Sequence, residues 1–577
     1  FGDRNPQEDP VIHFYELFLK EYDEQKRMAR GVFYTPRPIV SYIVRSTDER
    51  LRTEFGLKDG LADITTWGEL AKRNTNISIP EGVASDQAFV QILDPATGTG
   101  TFLVEAIDLI HKTVVQNWTN AGFSATQISE LWNEYVPKHL LTRLYGYELL
   151  MAPYAIAHLK ISLKLFETGY AFRSDMRANI YLTNSLEPPT DHSGRLAFAI
   201  PALAKEAESV NQVKANHHFT VVMGNPPYSH LSSNMSKEAM SLVDEYKIIE
   251  GNRIAERGAL SLQKNLQDDY VKFTRFAELT IKKSGSGIAC LITNNSYLDG
   301  RSFRGMRWQL AHTFQNIWIL DLHGSGKKDE STVNTSRDEN VFDIMQGVAI
   351  GTWVRCGKSN GAAKILRSDL LGLRETKYET LQCPIGAILW TSLDLLPPFY
   401  TLVKQDQAVL NEFQSYRSLR EIFPVYSSGI KTHRDEFAFA FDLAEMREKV
   451  RRFCDLTVSD QELRDQYGLK DTNTWLLAKK RAAANQEELL SSITVAEYRP
   501  FDQRLTCFHK DVIELMRNTV MQQMVGNRNL ALLSCQQQAE EGFHHVFCTR
   551  LISECCSVSN KTRETTSAFP LWISSQI

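Results

Sequence analysis

A short apolar run, Phe219 to Met223, stops abruptly at Gly224 and is followed by Asn225, Pro226, Pro227 and Tyr228. The run reads as a buried strand. Each proline fixes its own backbone and lacks an N–H, so the strand ends here and the next residues are held stiffly. A second strand with a sharp stop lies upstream. Ala88 to Leu93 leads into Asp94-Pro95-Ala96-Thr97-Gly98-Thr99-Gly100, and Phe102, Leu103, Ala106, Ile107 and Ile110 follow at helical spacing. Strand, glycine loop and helix form the opening unit of a doubly wound α/β sheet, which gathers its ligand sites at the carboxyl ends of its strands. The loop spacing is neither G-x-G-x-x-G nor a Walker loop, which disfavours a dinucleotide or a nucleoside triphosphate.

The second stop has a definite chemistry. The Asn225 amide oxygen and the Pro226 carbonyl are two acceptors close together, and an exocyclic amine offers two N–H donors. The amine of adenine is a poor nucleophile because its lone pair is drawn into the ring; two acceptors would hold it and return charge to nitrogen. The Tyr228 ring could stack on the base, which must first leave its duplex. Asn225-Pro226-Pro227-Tyr228 resembles the Asn-Pro-Pro-Tyr motif of amino-methyltransferases, most often those that make N6-methyladenine in DNA. Asp94-Pro95-x-x-Gly98-x-Gly100 resembles their S-adenosylmethionine loop. There the acidic residue serves the methionine ammonium, and Ala96, Thr97, Gly98, Thr99 and Gly100 pass beside the ligand.

Other segments fit this frame. Residues 10–30 carry apolar residues at helical spacing and read as an amphipathic helix. Tyr34-Thr35-Pro36 leads into a helix from Ile39 to about Leu51, which Thr35 can cap and whose first turn Pro36 suits. The same hydroxyl and helix start can hold a carboxylate; taken alone, a plain cap is the simpler reading. Leu141 to Leu149 reads as a strand with Glu148 at its tip, placed to accept ribose hydroxyls. Asn179 to Leu186 reads as another, with Asn184, Ser185 and Leu186 at its end. Enzymes of this kind often carry Asp at the place of Asn184 to read the cofactor's adenine amine; Asn accepts the same hydrogen bond. Phe342 lies where a second aromatic wall of a base pocket would fall, and an ordinary core aromatic is an equal reading. The order of the Thr-Pro element, the glycine loop and the Asn-Pro-Pro-Tyr strand is that of the gamma group of DNA adenine methyltransferases, a resemblance covering roughly residues 30–355.

Beyond it, Ser428-Gly429-Ile430-Lys431-Thr432-x-Arg434-Asp435 and Tyr498-Arg499-Pro500-Phe501-Asp502, with Arg504 beside them, resemble the C-terminal specificity region of Type ISP restriction-modification enzymes. In that family one polypeptide carries nuclease, ATPase, methyltransferase and target recognition. The resemblance implies phosphate or base contacts from Lys431, Arg434, Arg499 and Arg504, double-stranded DNA with a specific site as partner, and nuclease and ATPase/translocase parts upstream in the same polypeptide. Three regions are expected: a helical N-terminal region at 1–87, a Rossmann-like S-adenosylmethionine-dependent core at 88–360, and a connector with a mixed α+β recognition domain at 361–577, facing the core across a DNA cleft.

Composition sets bounds on this. A chain of 577 residues makes several domains, roughly 3 to 4. A net charge of −4 argues against indiscriminate coating of nucleic acid, though not against basic residues lining one cleft. No apolar run is long enough to span a bilayer. Nine scattered cysteines without a Cys-x-x-Cys pair fit a reducing cytoplasm. His544, His545, Cys548, Cys555 and Cys556 match no common zinc spacing and read as structural, so no metal is expected. A monomer is expected. Two other readings stay open: an RNA or protein-glutamine amino-methyltransferase, and a DNA-recognition module whose methyltransferase fold is not catalytic.

Overall fold

The structure is a computed structural model describing residues 35–172, 176–189, 201–228, 234–254, 264–326, 338–358, 361, 363–526, 529–536, 538, 544–559 and 564–573. The helix expected at 10–30 and the Tyr34 side chain lie outside the described residues. The chain forms two compact units, residues 1–404 and 405–577.

The first unit is built on a nine-stranded sheet. Its strands are β1 (Ile92–Asp94), β2 (Leu144–Glu148), β3 (Asn179–Leu182), β4 (Val221–Gly224), β5 (Ser286–Asn294), β6 (Asn316–Asp321), β7 (Val348–Cys356), β8 (Lys364–Asp369) and β9 (Thr391–Leu393). They lie in the order β9-β8-β6-β7-β5-β4-β1-β2-β3. β7 runs antiparallel to both its neighbours and β9 antiparallel to β8; the other pairs are parallel. This is a doubly wound α/β sheet, as the glycine loop and the strand stops imply. All nine residues of β5 are buried, as a strand covered on both faces requires. Its Ile288, Ala289, Leu291 and Ile292 are apolar along both faces for that reason.

Four helices set the site. α1 (Arg37–Phe55) buries Ile39, Val40, Ile43, Val44, Leu51 and Phe55 and stops at Gly56 in a left-handed conformation. It starts two residues earlier and ends four later than the sequence reading, and it packs against β5 and β7. α2 (Thr101–Asn120) follows the glycine loop. α3 (Met151–Glu167) follows β2, and α4 (Asp269–Ser284) precedes β5. Each fully buried large apolar side chain on these faces contributes about 1.5–3 kcal/mol of transfer free energy.

The core was expected to close near residue 360. The sheet continues past that point, because β8 extends it parallel to β6 and β9 pairs with β8. Ile365 and Leu366 pack into the first unit's core, so this short segment belongs to the sheet.

The second unit is mixed α+β. Its strands are β10 (Ser427–Ser428), β11 (Phe439–Ala440), β12 (Ile493–Arg499), β13 (Asp502–Cys507), β14 (Ala531–Cys535), β15 (Val546–Thr549), β16 (Ile552–Ser553) and β17 (Thr566–Pro570). They make two four-stranded sheets, β10-β17-β14-β15 and β11-β13-β12-β16. Helix α5 (Leu443–Cys454) presses Met446, Val450 and Phe453 into a core shared with Trp475 and Ile552. Among the described residues no helix is long and apolar enough to cross a membrane.

Candidate active site

β1 and β4 are neighbours, so the glycine loop and the Asn-Pro-Pro-Tyr segment leave the sheet side by side at its carboxyl edge. Their approach is close. A Cβ placed on Gly224 would come within 2.8 Å of the Asp94 carboxylate, so only glycine fits at that strand end.

The loop is fixed by its own backbone. Ala96 N–H donates to Asp94 Oδ1 (3.1 Å), Thr97 Oγ1 donates to the Asp94 carbonyl (3.0 Å), and Thr97 N–H donates to the Tyr147 carbonyl of β2 (2.9 Å). Gly98 and Gly100 take φ of +55° and +82°, a region that disfavours residues with a Cβ. Thr99 Oγ1 lies 3.4 Å from Thr101 Oγ1 at the start of α2. Asp94 is completely buried, and its Oδ2 has no hydrogen-bond partner among the described residues. Burial pushes this carboxyl up to about 8, with nearby Glu148 adding to the rise against the Ala96 N–H. A buried carboxylate with an unpaired oxygen is costly unless something cationic meets it.

Glu148, at the tip of β2, is differently employed. Its Oε2 accepts from Gly98 N–H (2.8 Å) and its Oε1 from Leu150 N–H (2.7 Å). Burial raises its pKa, and the N–H groups of Leu150, Gly98 and Leu149 oppose the rise. The carboxylate thus braces the glycine loop and keeps some acceptor capacity. Leu149 beside it is exposed. At the end of β3, Asn184 is drawn into a local network. Its Oδ1 accepts from Leu186 N–H (3.1 Å), and its Nδ2 donates to Asn234 (2.9 Å) and Glu187 (3.0 Å). Ser185 Oγ donates to the Pro95 carbonyl, tying β3 to the loop, and Leu186 is buried against Ala96 and Phe273. The sequence reading missed Lys214, whose ammonium donates to the carbonyls of Asn184 (2.6 Å) and Glu187 (3.0 Å). Burial lowers it to about 8. Its helix is 30 residues from Asn184 in sequence, and no local pattern links the two.

Asn225 stands between two hydroxyls. Its Nδ2 donates to Thr35 Oγ1 (2.9 Å), and its Oδ1 accepts from Tyr228 Oη (2.7 Å), which is also 3.1 Å from the Ile292 carbonyl of β5. Thr35 therefore does not cap α1, which has no side-chain cap. The helix starts on Pro36, whose carbonyl accepts from Ile39 and Val40, and the threonine hydroxyl is engaged by Asn225 instead. Pro226 is buried and Pro227 half-buried. The Tyr228 ring is buried and lies in an edge-to-face arrangement with Phe342, centroids 6.5 Å apart. Burial raises the Tyr228 hydroxyl well above its ordinary pKa, which keeps it a neutral donor. Ile292 was missed, although the pairing of Gly224 with Leu291 puts it one step beyond the end of β4.

In the second unit the basic residues singled out are spent differently. Arg434 is buried. Its guanidinium lies 3.7 Å from the centroid of the Trp475 ring and donates to Glu514 (3.0 Å). Its side chain is enclosed within the unit. Arg499 pairs with Glu554 (2.7 Å) and lies over Tyr498; Arg504 pairs with Asp502 (2.8 Å) and lies over Tyr498 and Phe441. Lys431 is held by its backbone, which exchanges hydrogen bonds with Leu515, and its ammonium has no partner among the described residues. Of the histidine and cysteine group, His545 pairs with Glu564 (2.9 Å), and Cys555 and Cys556 stand beside Glu554.

Known proteins align with both units. Residues 142–327 match the family model of the Eco57I restriction-modification methylase, and residues 421–576 match the Type ISP C-terminal specificity domain. A protein of Methanocaldococcus jannaschii that carries the name of a type II restriction enzyme and methyltransferase is 26% identical over 196 residues, 31% of this chain and 16% of its own length. The fold of the DrdV–DNA complex matches with a TM-score of 0.60 at 24% identity, over 98% of this chain and 51% of that one. The ATP-dependent Type ISP restriction-modification enzyme LlaBIII, solved bound to DNA, matches with a TM-score of 0.62 at 21% identity, over 97% of this chain and 35% of that one. The chain thus spans about half or less of the length of these relatives.

Proposed function

We propose that this Type ISP-like chain, a methyltransferase core joined to a specificity domain, transfers a methyl group from S-adenosylmethionine to N6 of an adenine turned out of duplex DNA. The observation that carries the reading is the convergence of Asn225 and Asp94 at adjacent strand ends, the first held as an amide acceptor and the second keeping an unpaired buried oxygen.

The residues fit the cofactor. Asp94 Oδ2 offers the missing partner of an ammonium, the positive-φ glycines let a ligand lie against the backbone, and Glu148 keeps acceptor capacity for ribose hydroxyls. Thr35 and Pro36 open a helix whose start suits a carboxylate. When bound, this cofactor supplies an electrophilic methyl group on a sulfonium. The chain does the rest by position. Asn225 Oδ1 and the Pro226 carbonyl accept the two amine N–H groups and return lone-pair density to nitrogen; Tyr228 and Phe342 supply aromatic surface for the base. Most of the acceleration then comes from orientation and from preorganised dipoles.

The specificity domain gives the reading its substrate, duplex DNA at a defined site. The match of residues 421–576 to the Type ISP C-terminal specificity domain supports reading this chain as the modification and recognition part of a longer restriction-modification polypeptide. The decisive experiment incubates the chain with labelled cofactor and duplex DNA, RNA or protein, then identifies the product. N6-methyladenine in DNA at a recurrent site is the expected result. Label in RNA or in a glutamine amide would replace the substrate, and cofactor binding without transfer to any of the three would turn the chain into a recognition module.

A further inference from the structure

We infer that Thr35 is a positioning residue that couples the cofactor site to the amine site through a single hydroxyl group. This rests on the proposed methyltransferase reading and adds a link that it does not contain.

The Asn225 amide has two unlike ends, and an incoming amine needs the oxygen. In the structure the nitrogen end is turned to Thr35 and the oxygen end to Tyr228. Tyr228 has one proton and two acceptors in reach, Asn225 Oδ1 and the Ile292 carbonyl. An amine arriving at Oδ1 can therefore displace the Tyr228 proton to Ile292 without leaving a buried hydroxyl unpaired. Tyr228 holds the place of the substrate and then gives it up, so it cannot alone keep the amide turned the right way.

Thr35 can, under one condition. A hydroxyl both donates and accepts. Left to itself it could donate to the amide oxygen as readily as accept from the amide nitrogen. It is confined to accepting only when its own proton is taken. Among the described residues that proton has no acceptor: the only hydrogen bond of the buried Thr35 side chain is the one it accepts from Asn225. Thr35 immediately precedes α1, where an anionic group of the ligand is favoured. A cofactor carboxylate taking the Thr35 proton would fix the hydroxyl as acceptor, strengthen its bond from Asn225 by polarisation, and aim Oδ1 at the amine. By linkage, an amine on Oδ1 would tighten the cofactor by the same factor.

The test compares Thr35→Val, which keeps the shape and removes the hydroxyl, with Thr35→Ser, which keeps the hydroxyl. Cofactor affinity is read by calorimetry, duplex affinity by titration with and without S-adenosylhomocysteine, and kcat at saturating cofactor and DNA. In the wild type the two ligands should tighten each other by about 5-fold or more. In Thr35→Val that factor should fall to about 1 and kcat by about ten-fold, with serine restoring both to within about three-fold. If valine lowers the melting temperature, Thr35→Ala against Thr35→Ser carries the same comparison. The inference is overturned if valine weakens the cofactor alone and leaves kcat and the mutual tightening intact, or if serine behaves as valine does. Methyl transfer that survives Asn225→Ala would instead overturn the reading beneath it.

Discussion

Two carboxylates, one in each unit, show opposite designs. Asp94 in the core has one oxygen without a hydrogen-bond partner among the described residues, and burial carries its pKa up to about 8. Glu514 in the specificity unit is half-buried, and its partial desolvation works against its charge. Hydrogen bonds from Thr474, His433, Thr472 and Arg434 nevertheless hold it down to about 2. A carboxylate answered on every side is framework. One left short of a cation in a packed sheet edge is a candidate for ligand binding, since folds rarely keep such a cost without use.

The largest effect that would break the contrast concerns the group beside Asp94. Asn225→Ala should lower methyl transfer by about 10²–10³-fold, the scale of removing one preorganised polar contact from a reacting centre. Cofactor affinity, measured by calorimetry, should stay within a few-fold. Equal turnover in wild type and variant would leave the core edge with no more function than the Glu514 cluster. On the other side, Arg434→Ala should destabilise the specificity unit by about 3 kcal/mol, because it breaks a buried ion pair and removes the cation from the Trp475 face. Chemical denaturation followed by far-UV circular dichroism reads it; a loss below about 0.5 kcal/mol would make Arg434 a surface residue in energetic terms.

The same contrast explains what was legible in the sequence. In the core, function sits on residues next to glycine and proline, and these dictate backbone. Gly224 and the prolines end β4, Gly98 and Gly100 shape the loop, and adjacency of β1 and β4 brings the groups together. Strand β5 and its neighbours were visible as apolar runs. The pairing of Thr35 with Asn225 was not, because it spans 190 residues and arises from the docking of α1 on the sheet. In the second unit the arginines were read by residue type alone. Their partners, Glu514 and Glu554, come from segments 80 and 55 residues away, so a basic motif could not be told from an ion-pair network. β8 was missed because it follows polar sequence and β9 because it has only three residues, and only their edge pairing makes them strands.

Titration sharpens the comparison further. The unfolded chain releases the Asp94 proton near pH 4, while the folded chain holds it to about 8. Asp94 therefore subtracts stability as pH rises through that window and no more above it. Glu514 has the opposite sign: its contribution is complete above about pH 4.5 and is lost as pH falls toward about 2. Asp94→Asn should equal the wild type in stability near pH 4 and exceed it increasingly up to about pH 8, while binding S-adenosylmethionine more weakly. Glu514→Gln should differ from the wild type above pH 5 and converge with it below. Parallel stability–pH curves for Asp94→Asn and wild type would show that the carboxyl ionises as freely in the fold as outside it.

The smallest effect separates the cations of the specificity unit. Lys431 has an ammonium without a partner among the described residues, whereas Arg434 is enclosed by Trp475 and Glu514. A phosphate contact releases counterions, so its loss flattens the dependence of log affinity on log salt by about one unit. Lys431→Gln should show that change in a titration of duplex DNA across salt concentrations. Arg434→Met should leave the slope unchanged, because a guanidinium already neutralised inside the protein releases no counterion from DNA. A slope that drops for Arg434→Met and not for Lys431→Gln would mean that the buried cluster opens on DNA, and the division between framework and ligand-binding charge would have to be redrawn within this unit.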